Sequence, residues 1–386
     1  MQGWLELVFW AGAGWCVYTY LLYPVLLWHA GVWAQVRRDW QGGGGEERRR
    51  GRRHEDEPPA VSVVIPVHNE AEFLAEKIAN LRALDYPAER LEVIFVCDGC
   101  SDDSADRLRQ AGAGWQVLEV RQQGKCSALN QGVERARHAL LVLCDAPTLL
   151  ARDAIRRLVS HFEDPAVGVV CGAVRFRASQ ASARTEGVYW RYECLLRVLE
   201  ARLGATLTAS GALYALRREG FEPLAADALI DDFMIPMTAR ELGYRVVYDA
   251  SARATDYAAA GVEGEFKRRV RLAVGSFRAL GQLWRMPLDP MTRWALVSHK
   301  ICRWLLPWAL LAVLVSSALL AGKGWYGAAL IAQLLFYGWA GVGFALRQGP
   351  RAPRTAALAY YLTAMNAAFL VGLARVATGQ GQPKWR

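Results

Sequence analysis

A few side chains in this sequence combine type and spacing in a way that could do chemistry. Two adjacent acids, Asp231 and Asp232, lie in the run Leu229-Ile-Asp-Asp-Phe-Met234. Like charges side by side raise each other's proton affinity, and a carboxylate so tuned can take a proton from a hydroxyl group. The same pair could cap a helix expected over 232–242, and capping does not exclude catalysis. Asp145 closes the apolar run ALLVLC (139–144), so a buried strand would point it into a ligand site. A carboxylate there can ligate a hard divalent cation. Lys125, in Gln123-Gly124-Lys125, opens a helix expected over 126–137. Its ammonium can pair with a phosphate, and Gly124 allows close backbone approach; a solvent lysine at a helix start would have the same sequence. Asp98 follows an apolar run and sits in a Gly-containing turn, where it can accept a hydrogen bond from a nucleobase imide N–H. Asp102 begins the next helix as a cap candidate.

The elements that must position these residues follow from the pattern of apolar runs. VSVVIPV (61–67), LEVIFV (91–96), WQVLEV (115–120) and ALLVLC (139–144) read as buried strands. Helical patterns lie between them at 70–84, 102–111, 126–137 and 151–162. The β-α-β-α order predicts an α/β domain with a parallel sheet covered by helices on both faces. Ligands in such sheets bind at the carboxyl ends of the strands, where Asp98, Lys125 and Asp145 fall.

The chain as a whole is too apolar for an ordinary soluble enzyme. Hydrophobic residues make up 53%, with 15 Trp and 14 Tyr, yet charged residues still make up 22%. This mixture predicts a soluble domain joined to membrane segments. Residues 1–36 carry an apolar stretch from about Trp4 to Trp33, broken only by Glu6, Pro24 and His29. At about 1.5 Å per residue such a helix spans a hydrocarbon core of roughly 30 Å. It lacks the basic start of a cleavable signal peptide. Residues 37–59 read as a disordered charged linker rich in Arg and Gly, and the positive-inside rule puts it in the cytoplasm. Residues 60–262 hold the α/β domain. Residues 263–290 are basic and amphipathic, as expected of an interfacial helix on an anionic surface. Residues 291–386 contain three further apolar runs, at about 294–320, 325–346 and 355–377. A transporter reading finds little support, because these runs show no buried ionisable pair beyond Arg375. The formal net charge of +9 predicts membrane lipids or a phosphorylated substrate as partner, and not nucleic acid, since no recognition motif accompanies it. The eight Cys form no paired CxxC zinc pattern and read as small thiols in a reducing compartment.

In order and spacing, VSVVIPVHNE, VIFVCDGCSDDS, Gln123-Gly124-Lys125, Asp145-Ala-Pro147-Thr148, Ile230-Asp-Asp-Phe233 and Arg268-Arg-Val-Arg271-Leu272 resemble the membrane-bound family 2 glycosyltransferases. The likeness is to the cellulose, hyaluronan and poly-N-acetylglucosamine synthases and covers about residues 60–285. It implies a GT-A fold, the Rossmann-like nucleotide-diphospho-sugar transferase domain, with flanking transmembrane helices. It implies inverting sugar transfer, with Asp232 as the base, Asp231 holding its geometry and Arg271 neutralising the departing diphosphate. Pro66, Asn69, Glu70, Asp98, Lys125, Asp145, Gly211 and Arg268 would contact substrate. Asp145 would hold Mg2+ or Mn2+ on the donor. The sequence departs from the family pattern at Pro147, where a second metal-binding acid is usual, at Arg268, where Gln is usual, and at Leu272, where Trp is usual. The resemblance also implies the partners: a nucleotide-sugar, expected to be a UDP-sugar, and a membrane-held saccharide or lipid-linked acceptor in envelope or exopolysaccharide synthesis. An oligomer or other envelope-complex subunits would complete the set. The expected place is the inner membrane, crossed several times, with the catalytic domain in the cytoplasm. Leu272 favours addition of one or a few sugars; processive polymerisation is the alternative, and a nucleotide-binding pseudoenzyme a more distant one.

Overall fold

The computed structural model describes residues 2–40, 57–112, 114–177, 183–225, 228–257, 261–347 and 353–379. Residues 41–56 of the expected linker, together with 348–352 and 380–386, lie outside the described residues.

The chain begins with helices α1 (Gln2–Val17) and α2 (Tyr23–Trp40), joined without a break by a π-helical turn, Tyr18–Leu22. Pro24 explains the irregularity. It has no N–H to offer the carbonyl four residues back, and the wider turn absorbs the misfit. The Tyr192 hydroxyl, at 3.2 Å, donates to the Tyr20 carbonyl that Pro24 cannot reach.

The domain follows as β1 (Val61–Val67), α3 (Ala71–Arg82), β2 (Leu91–Asp98), α4 (Ser104–Gln110), β3 (Gln116–Val120), α5 (Lys125–Arg135), β4 (Leu140–Leu143), β5 (Leu149–Leu150), α6 (Ala154–Val159), β6 (Val167–Arg177), α7 (Ala183–Arg202), β7 (Tyr214–Arg217), α8 (Asp231–Glu241) and β8 (Arg245–Tyr257). The strands form one sheet in the order β3-β2-β1-β4-β7-β6-β8-β5. Strands β3, β2, β1 and β4 run parallel, as the sequence pattern predicts. Every residue of β1 is buried, because helices cover both faces and each alternate side chain meets one of them. Val61, Val63, Ile65 and Val67 pack with Leu74 of α3 and Leu108 of α4. Val64 packs with Leu129 of α5 and Ile235 of α8 on the other face.

The second half of the sheet corrects the expectation of a parallel sheet throughout. Strand β7 runs antiparallel to both β4 and β6, and β5 runs antiparallel to β8. The sense reverses because the long α7 and the loop after it bring the chain back into the sheet from the opposite end. Strands of four and two residues are too short to announce their direction through periodicity.

Beyond the domain lie α9 (Gly261–Arg285), α10 (Pro290–Ala295), α11 (Cys302–Trp304), α12 (Leu306–Leu319), α13 (Trp325–Ala345) and α14 (Arg354–Ala377). Among the described residues, Gln2–Arg37, Trp325–Ala345 and Arg354–Ala377 are long and apolar enough to cross a membrane. The pair Pro290–Trp304 and Leu306–Leu319 passes the same test jointly but is bent by 54°. Pro307, in the first turn of α12, marks the break. Helix α9 is amphipathic as expected, but its buried face meets protein. Val270, Ala273 and Val274 are buried, and Phe277 stacks edge-on to Phe369 of α14. Lys267, Arg278, Trp284 and Arg285 are exposed.

Candidate active site

The site forms where the parallel strands end. Strand β2 delivers Asp98, which is fully buried. Its Oδ1 accepts from the Gln123 N–H and its Oδ2 from the Gly124 N–H, both at 2.8 Å. Asp98 therefore fixes the turn that starts α5. Gly99 next to it has φ +61°, and a Cβ there would come within 2.6 Å of the Gln122 side chain. Only glycine combines that backbone with that approach. The His68 ring is linked through Nδ1 to the Asp98 carbonyl at 2.6 Å. Asn69, at φ 54°, accepts from the Ser101 N–H at 2.7 Å and so orders the loop after β2. The Glu70 N–H donates to Ser104 Oγ at 3.2 Å, and Pro66 pairs with Val96 inside β1.

The turn held by Asp98 sets Lys125 at the first position of α5. Its Nζ lies 2.8 Å from Asp145 Oδ1 and 3.1 Å from Asp231 Oδ2. One ammonium thus bridges carboxylates from the end of β4 and the start of α8. Burial alone would push the Lys125 pKa down; Asp145 and Asp231, with Asp232 behind them, more than reverse this and raise it. Asp145 is positioned in turn by Lys77 of α3, a fully buried lysine that sequence reasoning missed. Its Nζ donates to the carbonyls of Asp145 at 3.2 Å and Thr148 at 2.6 Å. A lysine on an amphipathic helix gives no sign that it turns inward, and only the three-dimensional turn supplies its acceptors.

Asp231 and Asp232 open α8, one residue earlier than expected. Asp231 is buried, while Asp232 is half-buried. The backbone ties the pair to the small-residue loop Ala209-Ser210-Gly211-Ala212, since the Asp232 carbonyl accepts from the Ala209 N–H at 2.8 Å. In that loop Gly211 has φ +57°, and a Cβ there would lie 3.5 Å from Asp232 Oδ2. Burial, then the neighbouring Asp231 charge, raises the Asp232 pKa to about 6, against the pull of Lys125, Arg197 and Lys300. Tyr214, on β7, is wholly buried, and burial with the charges of Asp231, Asp232 and Asp145 keeps its hydroxyl protonated.

Helix α9 reaches the site from the other side. Gly275 packs on the residues before the acid pair, and a Cβ there would meet Ile230 at 2.9 Å and Leu229 at 3.0 Å. Arg271 acts electrostatically on the Cys126 thiol beside Lys125; burial raises that thiol's pKa and Arg271 opposes the rise. Arg268 does not join the carboxylates in this way. It is bound to the buried Glu265 by contacts of 2.6 and 2.8 Å, and Arg269 contacts the same acid at 2.9 Å.

Sequence reasoning also missed a buried ionic junction below the site. His299 and Arg303 of the bent segment meet Glu193 and Glu200 of α7. His299 Nδ1 lies 2.5 Å from Glu200, and an Arg303 N–H donates to Glu193 at 2.6 Å. Lys300 lies 3.3 Å from Glu193, and the Tyr23 hydroxyl donates to Glu200 at 2.9 Å. The expectation that the apolar runs hold no buried ionisable pair beyond Arg375 is thus corrected; Arg375 itself is exposed. The signal was present as His-Lys-x-x-Arg in an apolar run, but its acids sit about a hundred residues away in sequence.

The donor set can be tested against a divalent cation. Such an ion needs several oxygen ligands free to face it. Asp145 Oδ1 is already engaged by Lys125, and Pro147 offers no side-chain donor. Among the described residues no three His, Cys, Asp or Glu side chains are grouped to hold a metal ion. These residues do not fit a protein-held divalent ion. All eight cysteines are free, and Cys97, Cys126, Cys144 and Cys171 are buried, in keeping with small packed thiols.

Comparison with known proteins gives this geometry its context. Residues 62–222 match the family model described as glycosyl transferase family 2. The poly-beta-1,6-N-acetyl-D-glucosamine synthase of Staphylococcus aureus (strain COL) is 27% identical over 230 residues, covering 57% of this chain and 55% of that protein. The synthase of the same name from Staphylococcus epidermidis is 25% identical over 231 residues, again covering 57% and 55%. The chain thus matches about half the length of these curated relatives. Among solved structures, the mannosyltransferase PcManGT from Pyrobaculum calidifontis, in complex with GDP-Man and Mn2+, superposes with a TM-score of 0.66. Identity is 23%, with 92% of this chain and 97% of that chain covered. At that identity the likeness is one of fold, the GT-A arrangement with flanking apolar helices.

Proposed function

We propose, from the match of residues 62–222 to the glycosyl transferase family 2 model, that this chain is an inverting glycosyltransferase of the membrane. It moves a sugar from a nucleotide-sugar, taken here to be a UDP-sugar, to a membrane-held saccharide or lipid-linked acceptor in envelope or exopolysaccharide synthesis. The observation that carries the reading is the half-buried Asp232, raised to about 6, beside a carboxylate–ammonium cluster at the carboxyl ends of the strands.

Asp232 removes the proton from the acceptor hydroxyl as its oxygen attacks the anomeric carbon. The bond from that carbon to the donor phosphate breaks on the opposite face, and the departing diphosphate carries the electron pair away. Lys125 and Arg271 face the charge that develops there. Asp231 holds Lys125 and keeps the proton affinity of Asp232 up. Gly211 leaves room for a sugar above Asp232. Pro66, Asn69 and Glu70 shape the nucleotide end of the site, and Asp98 serves it by fixing the 122–124 turn. Arg268 acts through Glu265. The Mg2+ or Mn2+ expected at Asp145 has no step in this reading, because the protein side chains alone do not make up its ligand set. Helix α1–α2, the bent segment, α13 and α14 anchor the enzyme in the inner membrane, with the domain and the Arg-rich linker in the cytoplasm.

The test is Asp232→Asn. Transfer should fall by about 10²–10⁴-fold while UDP or GDP binding stays within about twofold of wild type. Near wild-type turnover in the mutant would remove Asp232 from the role.

A further inference from the structure

A diphosphate leaving group needs positive charge, and the residues that would hold a metal ion for it are incomplete here. Position 147, two residues after Asp145, is proline. In place of an ion ligated by acids, the structure has an ammonium among them. Lys125 Nζ sits 2.8 Å from Asp145 Oδ1 and 3.1 Å from Asp231 Oδ2. An ammonium has three N–H donors; Asp145 takes one, while Asp231 Oδ2 lies within ion-pair distance without accepting a hydrogen bond. The side chain is 26% exposed, so a remaining donor can face a ligand in the site. A divalent ion entering between these carboxylates would have to displace Lys125 and then lie against its positive charge.

The position of Lys125 is over-determined. Both Asp98 oxygens clamp the turn before it, and Gly124 ends that turn at φ 99°. Lys77 fixes the backbone of the Asp145 turn from beneath. A cation held on two elements, each braced from behind, costs little reorganisation when charge develops beside it.

We infer that Lys125 is a built-in substitute for a divalent ion at the donor diphosphate, so that this chain binds nucleoside diphosphates without metal. The inference rests on the nucleotide-sugar reading of the site. It differs from the resemblance-based expectation, in which Lys125 merely supplements a metal held by Asp145.

Calorimetric binding of UDP and of GDP to the detergent-purified full chain tests this, in EDTA and in excess Mg2+ or Mn2+. The inference expects the tighter of the two to bind with Kd values within about threefold in all three conditions. Lys125→Met should weaken that binding by at least about tenfold, the effect of losing one charge-assisted contact. Pairing Lys125→Met with Pro147→Asp restores a two-acid site without the ammonium. Binding to that double variant should become dependent on Mn2+, a result no purely structural role for Lys125 would give. Thermal melting of each variant checks that it is folded. If Lys125→Met does not fold, the EDTA comparison on wild type and on Pro147→Asp alone still decides: Pro147→Asp should stay metal-independent while Lys125 is in place. Wild-type binding that weakens tenfold or more in EDTA overturns the inference and leaves the transferase reading standing. Failure of both nucleotides to bind in every condition overturns both.

Discussion

At the scale of single residues, the site depends on charge balance more than on any one group. The proposed role of Asp232 as the base depends on how its surroundings set its proton affinity. Burial and Asp231 push the pKa up to about 6, and Lys125 is the first of the cations that pull it back. Only the ionised carboxylate can accept a proton. Activity is therefore present above that value and lost as pH falls through it, so kcat/KM should show an acidic limb with an apparent pKa of about 6. Lys125→Met removes a stabilising positive charge, and the limb should move to higher pH. A pH–rate profile of both proteins decides the point; a limb that stays put in the variant would separate Lys125 from the base.

At the scale of elements, the same residues are effective because short structural devices aim them. Strand β4 ends just before Asp145, the 122–124 turn launches α5, and the small-residue loop at Ala209 is bonded to the start of α8. Helix α9 sets the height of that last element through Gly275. Gly275→Val should press on Ile230 and Leu229, shift the acid pair, and cost about 1–3 kcal/mol of stability. A lowered melting temperature with a larger loss in kcat than in nucleotide affinity is the expected outcome. Unchanged kcat would show that α9 does not set the acid pair.

Most of these elements were legible in the sequence. Four apolar runs gave β1 to β4 within a residue or two; β1, β2 and β4 are buried on both faces and leave a continuous apolar signal, whereas β3, expected to be buried, is a partly exposed edge strand. Asp145 and Lys125 were legible as neighbours because strand ends converge in such sheets, and the acid pair joined them through the family resemblance. What escaped was whatever depends on partners distant in sequence. Nothing local tells that Asp98 turns inward to cap 123–124, that Arg268 goes to Glu265, or that Lys77 is buried. The antiparallel β7 and the bend at Leu305 were hidden for the same reason.

At the scale of the whole molecule, the site and the apolar helices are joined physically. Phe233 and Met237 of α8 pack with Ala273 of α9, Trp304 of the bent segment and Phe369 of α14 in one apolar cluster. The Glu193–Glu200–His299–Arg303 junction ties α7 to that same segment and, through Tyr23, to the N-terminal helix. An acceptor held in the membrane would thus meet Asp232 at a fixed depth. The central claim is that the intact chain, in its membrane, transfers a sugar with inversion. Membranes containing the full chain should be given a panel of α-linked nucleotide-sugars, and the linkage formed should be read by NMR. The account predicts turnover of one donor, release of its nucleoside diphosphate and a β-linked product. An α-linked product from an α-linked donor, or no transfer from any donor in the panel, would contradict it.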